Sequence, residues 1–169
     1  MLNTFPPSVR ATNLLIALGC CTAMLVAVLY FQKTLELEPC PLCISQRIFV
    51  IAIAVVAFVA FLHNPGRKGQ VIYGSSGLLA ALIGAGIAAR HTWLQSLPEE
   101  LVPACGPGLS YMFDALPLFD ALRLLFQGDG NCADVQWSLL GLSIPGWTLV
   151  AFIGFAAMNV YQIFRGHTR

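Results

Sequence analysis

The chain has 169 residues, of which 57% are hydrophobic and only 10% charged, against roughly 25% charged in an ordinary soluble domain. That excludes a typical soluble globule and also disorder, because so apolar a chain collapses. A net charge of +1 leaves no basic footprint for nucleic acid, so a small integral membrane protein remains.

In chain order, four stretches carry no Asp, Glu, Lys or Arg: 11–32, 48–66, 69–89 and 135–164. A bilayer crossing needs about 20 mostly apolar residues, because ~30 Å of hydrocarbon is divided by ~1.5 Å of rise per residue. Helical spans are therefore predicted at about 14–31, 43–62, 71–89 and 145–164. In the third span Gly77, Ala81 and Ala85, and likewise Ala80, Gly84 and Ala88, recur every four residues, which lets a neighbouring backbone approach closely. The fold class predicted is all-α: one integral membrane domain over residues 1–169, built as a four-helix bundle. At the N-terminus, Arg10, a short apolar run and Gly19-Cys20 could be read as a lipid-modified signal sequence. The run continues past Cys20, however, and makes a full span. Cys20 and Cys21 are read as packing residues within it.

Charge sorting gives the orientation. Arg10, the pair Arg67 and Lys68, and Arg165 and Arg169 fall on one side. All eight acids fall on the other: Glu36, Glu38, Glu99, Glu100, Asp114, Asp120, Asp129 and Asp134. The positive-inside rule makes both termini cytoplasmic and turns the connections 32–42 and 90–144 outward. Within the long loop, Leu118, Phe119, Leu122, Leu125 and Phe126 form an apolar stripe of helical period, predicting a short helix that lies on the outer membrane surface or packs on the bundle top. Trp93 and Trp147 fit the interfacial aromatic belt.

Four of the six cysteines sit at or beyond the outer surface, where an oxidising compartment allows disulfides. Cys40-Pro41-Leu42-Cys43 is a C-x-x-C at the start of the second span. Pro41 suits a first helical turn, which puts Cys43 at the positive end of the helix dipole, where a thiolate is favoured. Arg47, one turn on, lies on the same face and adds a fixed positive charge at the membrane boundary. Cys105, in Pro103-Ala104-Cys105-Gly106-Pro107-Gly108, is in a segment that cannot be helical and can present its sulfur to a groove. Cys132 follows the turn sequence Gly128-Asp129-Gly130-Asn131 and could change partners. A zinc site over the four cysteines would lack the second close pair typical of such sites, so no metal is expected. Inert structural disulfides are the other bland reading.

Four spans, Cys40-Pro41-Leu42-Cys43-Ile44-Ser45-Gln46-Arg47 opening the second, and a cysteine pair in the loop between the third and fourth together resemble the DsbB family of bacterial thiol:quinone oxidoreductases. The resemblance covers essentially the whole chain. It implies a protein of the bacterial inner membrane with its active loops facing the periplasm. The implied partners are a DsbA-like thioredoxin-fold oxidase, the bilayer and a membrane quinone (ubiquinone or menaquinone) as cofactor. It further implies that reduced DsbA attacks a Cys105–Cys132 disulfide at Cys105 and that electrons pass through Cys132, with a transient Cys40–Cys132 pairing, to Cys40 and Cys43. Cys43 then delivers them to quinone beside Arg47, with His91 near the quinone. A vitamin K epoxide reductase-like enzyme has its quinone-side C-x-x-C after the loop pair instead of before it. A non-catalytic, disulfide-braced tetraspan scaffold is the rival outside enzymology.

Overall fold

The computed structural model describes residues 8–104 and 117–165; Cys105, expected to meet the partner, lies outside the described residues. Helix α1 (Val9–Leu25) starts at Ser8, whose hydroxyl accepts from the Ala11 amide at 3.1 Å. It runs without a break into a π-helical segment, Val26–Thr34. Helix α2 spans Pro41–His63 and stops at Asn64, which takes the left-handed conformation (φ 44°) that ends many helices. Helix α3 spans Arg67–Leu94, a short α4 covers Leu118–Gln127, and α5 spans Ile144–Phe164.

Four helices are long and apolar enough to cross a membrane: Val9–Thr34, α2, α3 and α5. A helix able to cross thus lies at each of the four predicted positions, and the first three extend beyond their predicted ends. The extra turns carry Arg10, Lys33, Arg67, Lys68 and Arg90. Long basic side chains at a span's ends reach out of the apolar zone while the backbone stays helical, so a boundary drawn at the first charge falls short.

Helix α1 packs on α2, α2 on α3, α3 on α5, and α5 returns to α1. The core this ring encloses includes Ile16, Cys20, Ile53, Ala81 and Phe152, all fully buried; Cys21, by contrast, is exposed. The buried row of α3 is Gly74, Gly77, Ala81, Gly84 and Ala88. Its spacing alternates between three and four residues, the pattern that stays on one face of a 3.6-residue helix. Ala80 and Ala85, placed in four-spaced rows by the sequence reading, are only partly buried. A side chain at Gly77 would meet Asn159 of α5, and one at Gly84 would meet the Phe152 ring. At the end far from the C-x-x-C, buried amides tie three helices. Gln162 Nε2 donates to Asn13 Oδ1 (2.9 Å) and to the Val9 carbonyl (3.1 Å), while Gln70 donates to the Gln162 carbonyl. Arg67 reaches the Arg165 carbonyl at 2.7 Å and Arg10 lies 4.8 Å over the Phe61 ring, so the basic groups gather at this end.

The other end is capped by α4 and the described residues that follow it before α5. The apolar stripe of α4 divides: Leu125 is fully buried, whereas Leu118 and Phe119 are 71 and 79% exposed. The helix is pinned to the bundle through its carbonyls. Leu125 accepts from Ser45 Oγ at 3.0 Å, and Gln127 accepts from Arg90 Nε and Nη2 at 3.1 and 2.8 Å. A two-stranded antiparallel hairpin, β1 (Ser138–Leu139) and β2 (Leu142–Ser143), precedes α5. Its turn residues Leu140 and Gly141 both have positive φ (54° and 80°), as a type I′ turn requires. Only Gly141 signalled that turn, and the hairpin was not foreseen.

The tight α3–α5 seam gives a stability test. Gly84→Leu forces a side chain into the Phe152 ring and should destabilise by about 1–3 kcal/mol. Gly86→Leu, whose position meets nothing within 4 Å, should be close to neutral. Unfolding of both variants in detergent measures this, and equal losses would contradict the seam.

Candidate active site

The site begins with how α2 starts. Cys40 is the residue before the first turn, extended at φ −71° and ψ 167°, and Pro41 follows it inside the helix. Pro41 is favoured there because its missing N–H would be unpaired anyway, and it prevents the helix from extending backwards through Cys40. The two thiols consequently converge across one turn, Sγ to Sγ 3.2 Å, with Cys40 as donor. Cys43 sits in the first turn, where the unpaired amides of α2 concentrate positive potential.

Cys132 comes to the same place from far along the chain. It ends a short 3-10 turn, Gly130–Cys132, capped by Asp129, whose Oδ1 accepts from the Asn131 amide at 3.1 Å. Gly128 (φ 73°) lets this loop press on Leu42 and Leu94, where a Cβ would collide. Leu42, Leu94 and Cys132 are buried together, with Cys40 packed against them. The Gly-Asp-Gly-Asn sequence, read as a turn able to change partners, is therefore docked, and Cys132 is buried. The single S–H of Cys40 faces two acceptors, the sulfurs of Cys132 and Cys43. Donating to Cys132, and being buried, holds the Cys40 thiol above the ordinary thiol range. Accepting that same hydrogen bond, with help from backbone amides, holds Cys132 below it against the opposing effect of its own burial.

His91, in the last turn of α3, is buried beside these sulfurs. Its Nε2 is 3.7 Å from Cys40 Sγ and its Nδ1 is 3.1 Å from Gln46 Nε2; the ring also bonds the Cys132 backbone. A small cavity of about 20 Å³ is lined by Cys40, Cys43 and His91 together with polar groups including Gln95, Asn131 and Asp134.

On its other flank Cys43 faces a much larger space. A cavity of about 400 Å³ lies between α1, α2 and α5, walled by the apolar Phe31, Val50, Trp137, Trp147 and Phe152 and reached by Cys43, Gln46 and Arg47. Arg47 is held at its wall by two hydrogen bonds to the π-helical segment: Nη1 to Gln32 Oε1 (2.9 Å) and Nη2 to the Ala27 carbonyl (3.2 Å). The wider coil is stitched by i−5 bonds, Thr34 Oγ1 to the Leu29 carbonyl (2.9 Å) and the Leu35 amide to the Tyr30 carbonyl (3.0 Å). Such segments are rare and cluster at functional sites.

The structure thus brings Cys40, Cys43, Cys132 and His91 together, with Arg47 on the cavity side and His91 on the side of Cys40. Gln46, Trp137 and the π segment were not singled out from sequence. The signal for Gln46 was present, a buried amide in an otherwise apolar span, since such groups are expensive in a membrane and tend to serve function. The shared proton of Cys40 makes a testable asymmetry. In Cys40→Ala the Cys132 thiolate loses its donor, so Cys132 should titrate at higher pH than in the parent. Site-resolved carbon-13 shifts of the labelled cysteine over a pH series measure this, and an unmoved or lowered midpoint would contradict the contact.

Comparison with known proteins places this geometry. A family model described as "Disulfide bond formation protein DsbB" matches residues 9–162. Relatives carrying the name "Disulfide bond formation protein B" include one from Saccharophagus degradans, 58% identical over 156 residues (92% of this chain and 93% of that protein). Another, from Nitrosococcus oceani, is 54% identical over 145 residues (86% of each). A third, from Methylococcus capsulatus, is 51% identical over 156 residues (92% of this chain and 94% of that protein). With the match spanning all four membrane helices and the thiols they converge on, the chain belongs to the DsbB family of disulfide bond formation proteins.

Proposed function

We propose that this protein is a thiol:quinone oxidoreductase that reoxidises a periplasmic thioredoxin-fold partner of the DsbA type and passes the electrons to a membrane quinone. The observation that carries the reading is the position of Cys43. It has the Cys40 thiol 3.2 Å away on one side and, on the other, an apolar cavity that it shares with Arg47.

The residues fit a quinone. About 400 Å³ of space is in the range of small-molecule sites, which are mostly apolar with a few placed polar groups. Phe31, Trp137, Trp147 and Phe152 would flank the ring, with Arg47 and Cys43 at its polar edge. When bound, the quinone supplies two-electron oxidising capacity and takes up two protons as it becomes the quinol. The chain's own residues do the rest. Arg47, restrained by Gln32 and the Ala27 carbonyl, holds a fixed positive charge where negative charge develops. Cys40 relays between the loop and Cys43, because its sulfur is within reach of both Cys132 and Cys43. Each exchange is thiolate attack on a disulfide: one S–S bond forms, one breaks, and the departing sulfur takes the electron pair. In the reduced pair Cys40 donates to Cys132 and favours its thiolate; while Cys40 and Cys43 are bonded to each other, the backbone amides at Cys132 are left to stabilise it as the leaving group. Cys105 would be the first sulfur attacked by the partner. The sorted charges support an inner-membrane protein with both termini cytoplasmic and the thiols on the periplasmic side.

Reconstitution of the purified protein with a quinone and a reduced thioredoxin-fold dithiol tests this. One quinone should be consumed per dithiol oxidised, Cys43→Ala should abolish turnover, and Arg47→Met should lower it by ~100-fold, the loss typical when a stabiliser of developing negative charge is removed. Cys105→Ala should abolish a mixed disulfide with the partner and Cys132→Ala should prolong it. Absence of turnover with every quinone, or of any adduct with either variant, overturns the proposal.

A further inference from the structure

Beyond electron transfer, we infer that the reduced site is a redox-gated binding site for a thiophilic d10 cation such as Zn²⁺, held by Cys40, Cys43 and His91. From sequence alone a metal was unattractive, because a second close ligand pair was missing. The fold supplies the third ligand from 51 residues away.

The ligand atoms are already gathered. Cys40 Sγ, Cys43 Sγ and His91 Nε2 lie 3.2 and 3.7 Å apart along the measured contacts, and the three ligand atoms all fall within 4.8 Å of one another. Tetrahedral zinc, with Zn–S ~2.3 Å and Zn–N ~2.0–2.1 Å, requires S···S of ~3.8 Å and S···N of ~3.6 Å. The Cys40–His91 spacing already fits, the two sulfurs would separate by roughly 0.6 Å, and Cys43 and His91, within 4.8 Å of each other, would settle to the same S···N spacing by side-chain rotation. The same three residues line the cavity of about 20 Å³, enough room for a water-sized guest. Asn131, Asp134 and Gln95 also face that cavity and could accept from a water in the fourth coordination position.

The histidine's support is in place as well. A metal-bound imidazole gives its other ring N–H to an acceptor that orients it, and here Nδ1 faces the Gln46 amide at 3.1 Å. The amide serves either tautomer, because a half-turn presents Oε1 in place of Nε2. Binding exchanges the S–H protons the two sulfurs still carry and the bond between the ring and the Cys132 backbone for three metal–ligand bonds: Zn²⁺ enters, a proton leaves each sulfur that was protonated, and no electron moves. Oxidation of Cys40 and Cys43 to a disulfide, by quinone or by a chemical oxidant, removes both thiolates and with them the site. The cation would therefore hold the dithiol state and oppose its oxidation.

The inference concerns equilibrium binding and stands or falls apart from turnover. Full-length protein in detergent, reduced and freed of reductant, is titrated with Zn²⁺ against a chromophoric chelator, and in parallel with Co²⁺ to read thiolate charge-transfer and tetrahedral d–d bands. One ion should bind per reduced chain. The Co²⁺ bands should vanish in Cys43→Ser, and Cys21→Ser should change nothing. Gln46→Leu should weaken Zn²⁺ by ~10–100-fold, as loss of a ligand's supporting hydrogen bond does, and His91→Ala by more. Oxidised protein should bind no ion here. Equal affinity in reduced and oxidised protein, or in the parent and His91→Ala, overturns the inference; the first comparison uses no variant and so is immune to misfolding.

Discussion

Everything at the active end depends on where α2 is allowed to begin. Pro41 forbids a turn before it and tolerates the first position, which leaves Cys40 extended and outside the helix while Cys43 lies within its first turn. A cysteine one residue deeper would be carried round the helix axis and lose the 3.2 Å approach. Because the start of α2 is also where α4 docks, through Ser45 and the Leu125 carbonyl, the same turn fixes the loop cap to the thiols. The loop's cysteine then has a definite neighbour in place of a wide search volume.

Cys43 divides two unlike spaces. Toward α1 and α5 lies the 400 Å³ apolar cavity; toward α3 lies the 20 Å³ space lined with amide, carboxyl and imidazole groups. Gln136, Trp137 and Ile144 line both, so the connection into α5 is the partition. Such an arrangement keeps exchange chemistry, which needs charged sulfur and proton acceptors, on the polar side. The apolar side offers a guest aromatic walls and one fixed cation. Arg47 belongs to the second side because the π-helical segment offers it a carbonyl and the Gln32 side chain.

The architecture was legible because a bilayer imposes two coarse rules, length and charge, that a single sequence obeys visibly. The gaps between Arg10 and Lys33 and between Lys68 and Arg90 locate two spans, and the largest errors arise at ends where basic side chains reach outward. The thiols were legible too, since C-x-x-C before an apolar run is local. What could not be read was long-range. His91 is separated from Cys40 by the whole of α2 and α3, and Cys132 by the outer loop as well. The hairpin at Leu140-Gly141 was hidden because a leucine occupies one of the two left-handed positions that usually reveal such a turn. The small-residue row of α3 was recognised in kind but misassigned in register, because strict four-residue spacing drifts around a helix whereas alternating three and four does not.

In the proposed relay the docking of Cys132 satisfies two demands at once. Its burial with Leu42 and Leu94 removes apolar surface from water, which favours the docked loop, yet a relay requires the same sulfur to bond in turn to Cys105 and Cys40. The contacts are compatible with that because no long regular element carries them. A three-residue 3-10 turn capped by Asp129, one glycine pressed on two leucines and the bond from the Gly130 amide to the Ala104 carbonyl (3.2 Å) hold the cysteine, not a long helix or sheet. That last bond ties the turn carrying Cys132 to Ala104, at the far end of the connection that leaves α3. The membrane helices beneath, locked at Gly77 and Gly84 against α5, need not move at all. Rigidity is thus concentrated where the C-x-x-C is fixed relative to its cavity, and the proposed relay would draw on the lighter hold at Cys132.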